Sequence, residues 1–171
     1  TGNQIGALLA DFLSRQDSVK GKIMVTTVVT GDLGSQIVTS RGATVIHTLT
    51  GSKFVCEEMN HMEAGEFLLG YEESHGYIGG MHIRDKDGVL AAMLLCETAA
   101  WHKTQGRTLL DALEDLYQKY GYYIDEQDSF VFEGAKGAKE MQKIMARLRS
   151  RRGSVFAPLG KPDKILDYEK G

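Results

Sequence analysis

The run Ile23-Met24-Val25-Thr26-Thr27-Val28-Val29 is apolar or β-branched at every position. It is too apolar on both faces for a half-exposed hairpin, and it predicts a buried, parallel strand. Upstream, Ile5, Leu8, Leu9, Phe12 and Leu13 recur at helical spacing between Gly2 and Gly21, so Asn3 to Arg15 reads as an amphipathic helix. Downstream, Gly31 closes the strand, and Asp32 is placed to cap a helix that runs to about Arg41 and stops at Gly42. A second strand at Thr44 to Leu49, a helix from about Gly51 to Met62 capped by Thr50, and a third strand at Glu66 to Tyr71 follow. Strand and helix alternate, which is the mark of an α/β layer structure.

Past the third strand the pattern turns helical. Val89 to Trp101 is apolar nearly all round, through Leu90, Ala91, Met93, Leu94, Leu95 and Ala99, and is expected as a central buried helix with Asp87 as its N-cap. After the break at Gln105-Gly106, Thr108 and Asp111 form a capping-box pattern ahead of Leu109, Leu113, Leu116 and Tyr117; Gly121 ends that helix. Tyr122 to Phe132 alternates imperfectly and predicts one or two edge strands, because Asp125, Glu126 and Asp128 interrupt it. A helix from Ala138 to about Ser150 follows. The C-terminal stretch holds both prolines, Pro158 and Pro162, and reads as a connector. The expected organisation is one domain over residues 1–155 and a connector over residues 156–171.

Composition narrows the function classes. A chain of 171 residues, 42% hydrophobic, buries one core and is too short for several ordinary domains. A net charge of -3, with both signs interspersed, offers no field to nucleic acid or an anionic membrane. No apolar run approaches the ~20 residues that span a bilayer. Cys56 and Cys96 sit in apolar-rich stretches and form no C-x-x-C pair, which predicts two reduced core thiols and a cytoplasmic setting. The histidines at 47, 61, 75, 82 and 102 lack zinc-ligand spacing, so no metal site is expected in this chain. The basic run Arg147 to Arg152 falls at a helix C-terminus, where cations are favourable without nucleic acid.

Three loops carry candidate chemistry. Gly70-Tyr71-Glu72-Glu73-Ser74-His75-Gly76 follows the third strand, and ligands of α/β sheets gather beyond the carboxyl ends of strands. Its two carboxylates, hydroxyl and imidazole can accept from and donate to vicinal sugar hydroxyls; a polar surface turn is the plainer reading. In Arg84-Asp85-Lys86-Asp87-Gly88, cations at a helix start oppose the macrodipole and need a partner, either a neighbouring aspartate or a bound anion such as phosphate. It is not a calcium loop, since Val89 and Cys96 fall at ligand positions. Thr50-Gly51-Ser52-Lys53 combines a helix start, a hydroxyl and an ammonium, and is either a ligand loop or an ordinary capped helix.

Taken in order, these loops resemble the third, sugar-recognition domain of the α-D-phosphohexomutase superfamily, the phosphoglucomutases and phosphomannomutases. Gly70 to Gly76 (GYEESHG) is similar to its sugar-specificity loop, Gly2 to Leu9 to its domain-opening helix, His82 to Gly88 to its phosphate-proximal turn, and Lys164 to Gly171 (KILDYEKG) to the passage into a fourth domain. The resemblance implies a three-layer α/β/α fold around a mixed, largely parallel sheet. It also implies a reaction moving phosphate between C1 and C6 of a hexose through a bisphosphate intermediate. The family's phosphoserine loop, its Asp-x-Asp-x-Asp magnesium loop and its Arg-x-Ser-Gly-Thr phosphate clamp do not occur here. The chain is therefore expected to be one isolated domain, inactive alone and binding no cofactor itself, with magnesium and glucose 1,6-bisphosphate serving the full-length enzyme. Its expected partners are a hexose phosphate and the other domains of the same polypeptide.

Carried over by the resemblance, Lys86 is the catalytic residue, near the transferring phosphoryl group. Glu72 and Ser74 bind ring hydroxyls, and Gly51 and Ser52 contact the sugar. Glu73 and His75, with Lys53 and Arg84, complete the substrate-binding set, and Glu73 favours glucose over mannose. A stand-alone, non-catalytic sugar-phosphate binding module is the alternative.

Overall fold

The computed structural model describes residues 1–15, 19–63, 65–126, 128–151 and 165–169. In chain order the elements are α1 (Gly2–Ser14), β1 (Ile23–Thr27), α2 (Leu33–Thr39), β2 (Thr44–Thr48), α3 (Ser52–Met59), β3 (Phe67–Glu72), β4 (Gly76–Ile78), α4 (Gly88–Thr104), α5 (Leu109–Tyr120) and α6 (Gly134–Arg151). They fall into two compact units, Thr1–Asp125 and Glu126–Gly171.

In the first unit the sheet order is β2-β1-β3-β4. The apolar run supplies the inner strand β1, parallel to both β2 and β3, while β4 returns antiparallel to β3. Alternation along β1 sends Met24 into a core with Leu9 and Ala10 of α1, Val38, Leu69, Tyr71 and Leu94. Val25 points the other way, into a core with Val55, Cys56 and Met59 of α3. Helices thus cover both faces, giving the α/β/α layers and the mixed, largely parallel sheet. A further cluster packs Ala7 and Leu8 of α1 against Leu33 and Ile37 of α2 and Ala112, Leu113 and Leu116 of α5.

One buried ionic knot ties α1 to the end of α2. Asp11 is 1% exposed; its carboxylate meets Arg15 Nε at 2.7 Å and pairs with the Arg41 guanidinium, which also donates to the Asp11 carbonyl at 2.7 Å.

Several expectations are corrected. Residues 122–132 form no strand among those described; the edge beside β3 is taken by β4, which closes a hairpin across three residues, while the acidic segment stays in irregular, largely exposed backbone. Neither expected side-chain cap forms at α2 or α3: Asp32 is itself in helical conformation, and Gly51, with φ of 123°, takes the N-cap of α3 in place of Thr50. Helix α4 is capped by Asp87, which accepts from the N–H groups of Val89 and Leu90, but it is not buried all round. Leu94, Thr98 and His102 face inward, whereas Val89 is 83% and Met93 58% exposed. Cys56 is buried but Cys96, on the outer side of α4, is exposed. α6 begins at Gly134, ahead of the expected start, and its Arg149 pairs with Asp167 at 3.1 Å and Glu169 at 2.6 Å. Most of the expected connector over residues 156–171 lies outside the described residues.

His102 is 3% exposed, and neither ring nitrogen has a hydrogen-bond partner among the described residues. Burial, then the nearby Arg15, lowers its pKa below the ordinary 6.5, with Arg107 acting in the same sense and Asp11 and Asp115 opposing. The unfolded chain therefore binds a proton at this site more readily than the folded one, and stability is lost as pH falls through about 6.5. His102→Leu should flatten that dependence. Denaturant unfolding of both proteins between about pH 7.5 and about pH 5.5, followed through the single tryptophan, Trp101, whose ring packs edge-on at 4.7 Å against His102, measures it. An unchanged slope in the variant would show that His102 titrates alike in both states.

Candidate functional site

The two crossovers run over opposite faces of the sheet: α2, between β1 and β2, packs on the α1 side, and α3, between β2 and β3, on the other. Where such a reversal occurs, the loops beyond the carboxyl ends of the strands part and leave a crevice. The loops after β1, β2 and β3 meet there.

Glu72 is the hub. It is the last residue of β3, not a loop residue, and its side chain is only 7% exposed. Oε1 accepts from the Gly51 N–H at 2.7 Å, tying β3 to the loop after β2. Oε2 lies 2.6 Å from Lys86 Nζ. The buried carboxylate thus has both oxygens engaged, one by a backbone amide and one by the ammonium.

Asp85 joins the same two loops from outside. Its Oδ1 accepts from the Ser52 hydroxyl at 2.9 Å and from the Lys86 N–H at 2.7 Å. These bonds, the Lys86 amide first, hold its carboxyl below the usual carboxylate range. Gly51, Ser52, Glu72, Asp85 and Lys86 thus form one connected set.

The remaining candidates sit around it. The Glu73 carboxylate accepts from the Thr30 hydroxyl at 3.0 Å, and Thr30 is itself 2.7 Å from the Thr27 hydroxyl, so Glu73 is tied to the loop after β1. Ser74 and His75 are exposed in the β3–β4 turn, and His75 takes φ of 66°, the left-handed position that ends many three-residue hairpin loops. Lys53 turns away, with Nζ over the Phe54 ring at 4.5 Å. Arg84 donates to Asn60 Oδ1 at 2.6 Å and takes no part in the Glu72 set. The opening helix reaches the same end of the sheet: Tyr77 donates to the Gly2 carbonyl at 3.0 Å.

Sequence reasoning missed Thr30 and the linking role of Asp85. Thr30 carries no motif, and each of the two acts through a partner more than thirty positions away in the chain. Among the described residues no group of three or more His, Cys, Asp or Glu side chains is placed to hold a metal ion. No helix among them is long and apolar enough to cross a membrane.

Helices layered on both faces of a mixed, largely parallel sheet define an α/β/α domain. Residues 1–120 match the family described as phosphoglucomutase/phosphomannomutase, alpha/beta/alpha domain III, and the chain belongs to that family. Among curated relatives, a phosphoglucomutase of Staphylococcus epidermidis is 34% identical over 172 aligned positions, covering 99% of this chain and 31% of the relative. One from Staphylococcus aureus strain MRSA252 is 33% identical over 169, covering 98% and 30%. The chain thus spans just under a third of the length of these relatives. A putative phosphomannomutase from Thermus thermophilus superposes with a TM-score of 0.58 at 26% identity, over 68% of this chain and 25% of that one. The open form of pp63/parafusin, a phosphoglucomutase from Paramecium, superposes over 98% of this chain and 29% of its own with a TM-score of 0.69; at 24% identity it supports the fold alone.

Proposed function

We propose that this chain is the sugar-recognition domain of a phosphohexomutase interconverting hexose 1-phosphate and hexose 6-phosphate. The observation that carries the reading is the meeting of Gly51, from the loop after β2, and Lys86, from the turn after β4, on the Glu72 carboxylate at the end of β3. A carboxylate beside an ammonium suits a ligand that brings both hydroxyl donors and negative charge. Glu72 and Ser74 would face ring hydroxyls, with Gly51 and Ser52 framing the sugar and Glu73 and His75 at the rim. Lys86 would meet the phosphoryl group as the one catalytic cation supplied from this domain. Arg84 and Lys53 would serve as outlying phosphate contacts, since each is occupied elsewhere.

The phosphoserine, the magnesium site and the bisphosphate intermediate's other contacts would belong to further domains of a cytoplasmic enzyme, and alone this chain would be inactive. The exposed apolar side of α4, with Val89 and Met93, suits contact with such domains better than contact with water. One wall of a cleft supplies few contacts, so hexose-phosphate affinity should be on the order of millimolar or weaker. NMR titration of the chain with glucose 1-phosphate is expected to shift resonances of residues 51–53, 72–75 and 84–86. Shifts confined to residues 147–151 of α6, or turnover by the purified chain, would overturn the reading.

A further inference from the structure

Gly76 stands directly opposite Glu72 in the β3–β4 ladder. Side chains of facing residues in an antiparallel pair project to the same side of the sheet, so a residue at 76 would lie against Glu72. Gly76 is buried, yet it is absent from the glycines with left-handed backbone, and other residues can adopt its conformation. Its lack of a side chain therefore answers a need for space. The space is filled: a Cβ at position 76 would overlap Lys86 Cε and stand 2.7 Å from Cδ and 2.9 Å from Nζ. The stem of Lys86 lies across the gap and brings Nζ onto Glu72 Oε2.

We infer that Gly76 is a positioning residue: it leaves a slot on the face of the hairpin, along which the partly exposed stem of Lys86 runs to meet Glu72. The role assigned to Lys86 rests on the proposed function, but the slot itself does not. Any side chain at 76 would occupy the slot and turn the ammonium out toward solvent, while the hairpin register remains.

A double-mutant cycle on the 171-residue chain tests this, with Gly76→Ala made in the native background and beside Lys86→Ala. The expected result is that Gly76→Ala lowers the denaturant midpoint when Lys86 is present and costs little or nothing once the stem is gone. An equal cost in both backgrounds would overturn the slot. Reductive methylation with ¹³C-formaldehyde supplies a second readout, which needs only enough folded Gly76→Ala protein for a spectrum. Lys86 should react several-fold faster in that variant, approaching exposed Lys53, and unchanged protection would again overturn the slot. Failure of the proposed function looks different: Lys86 is released by Gly76→Ala, but glucose 1-phosphate leaves residues 72–75 and 84–86 of the native chain unmoved. Should Gly76→Ala not fold, Gly76→Ala with Lys86→Ala decides: that pair folds if the overlap is with the stem, and a double variant that also fails to fold rejects the slot.

Discussion

Lys86→Ala, placed in a full-length mutase carrying this domain, is expected to lower kcat by about a hundredfold, the scale of one lost oxyanion donor. Charge on a transferring phosphoryl group develops toward the transition state, so an ammonium facing it gains interaction as the reaction proceeds. Glu72 would instead meet hydroxyls that do not react, and its loss should act mainly on KM. The ion pair modifies that division. Glu72→Gln also removes the anchor of Lys86, so its kcat should fall as well, and the two substitutions should combine to less than the product of their separate effects. Steady-state kinetics of the two single variants and the double variant check this. A kcat within about twofold for Lys86→Ala would remove the catalytic role and leave the turn as the approach to a helix cap.

Asp11→Ala is expected to cost about 3 kcal/mol of folding stability, at the lower end for breaking a buried ion pair. The loss strands two guanidinium groups. Arg15 is 43% exposed and can turn to water, but Arg41 is 20% exposed and its second nitrogen is already committed to the Asp11 carbonyl and Ser14. For a chain of this size the change corresponds to roughly 10 °C in Tm. Replacing the pair together, Asp11→Leu with Arg41→Met, should recover most of the loss, because the desolvation cost disappears with the charges. Calorimetry or thermal denaturation by circular dichroism of the three proteins measures both steps. A single variant within about 0.5 kcal/mol of the native protein would mean that the knot is solvated and contributes little.

The parallel core of the fold was legible because its strands are recorded in local chemistry. A run such as Ile23 to Val29 has one comfortable place in a sheet, and glycines at 42 and 121 mark helix ends wherever the chain lies. β4 was not legible. Three residues, the first of them a glycine, show no period, and the strand exists only because β3 offers an unpaired edge. The apolar pattern of α4 misled for a related reason: periodicity reports what a face is made of, not what is packed on it. At the site, the residue types and their loops could be read from the chain, whereas the bonds joining Gly51 to Glu72, Thr30 to Glu73 and Ser52 to Asp85 could not. Each spans between twenty and fifty positions and depends on strand order. Asp11 is the same case inside a helix, where nothing in the spacing separates a buried carboxylate from a solvated one.

The sheet order also divides the assembly of the crevice into a near and a far part. β3 and β4 are joined by a three-residue turn, so bringing Glu72 opposite Gly76 closes a minimal loop and costs little chain entropy. Gly51 reaches Glu72 only after β2 and β3 have both docked on β1, each through a crossover with its own helix. The wall carrying the carboxylate is thus a local product of the chain, and the loop that completes it is a non-local one. Insertions within either crossover would loosen the Gly51 contact while leaving the hairpin beneath it intact.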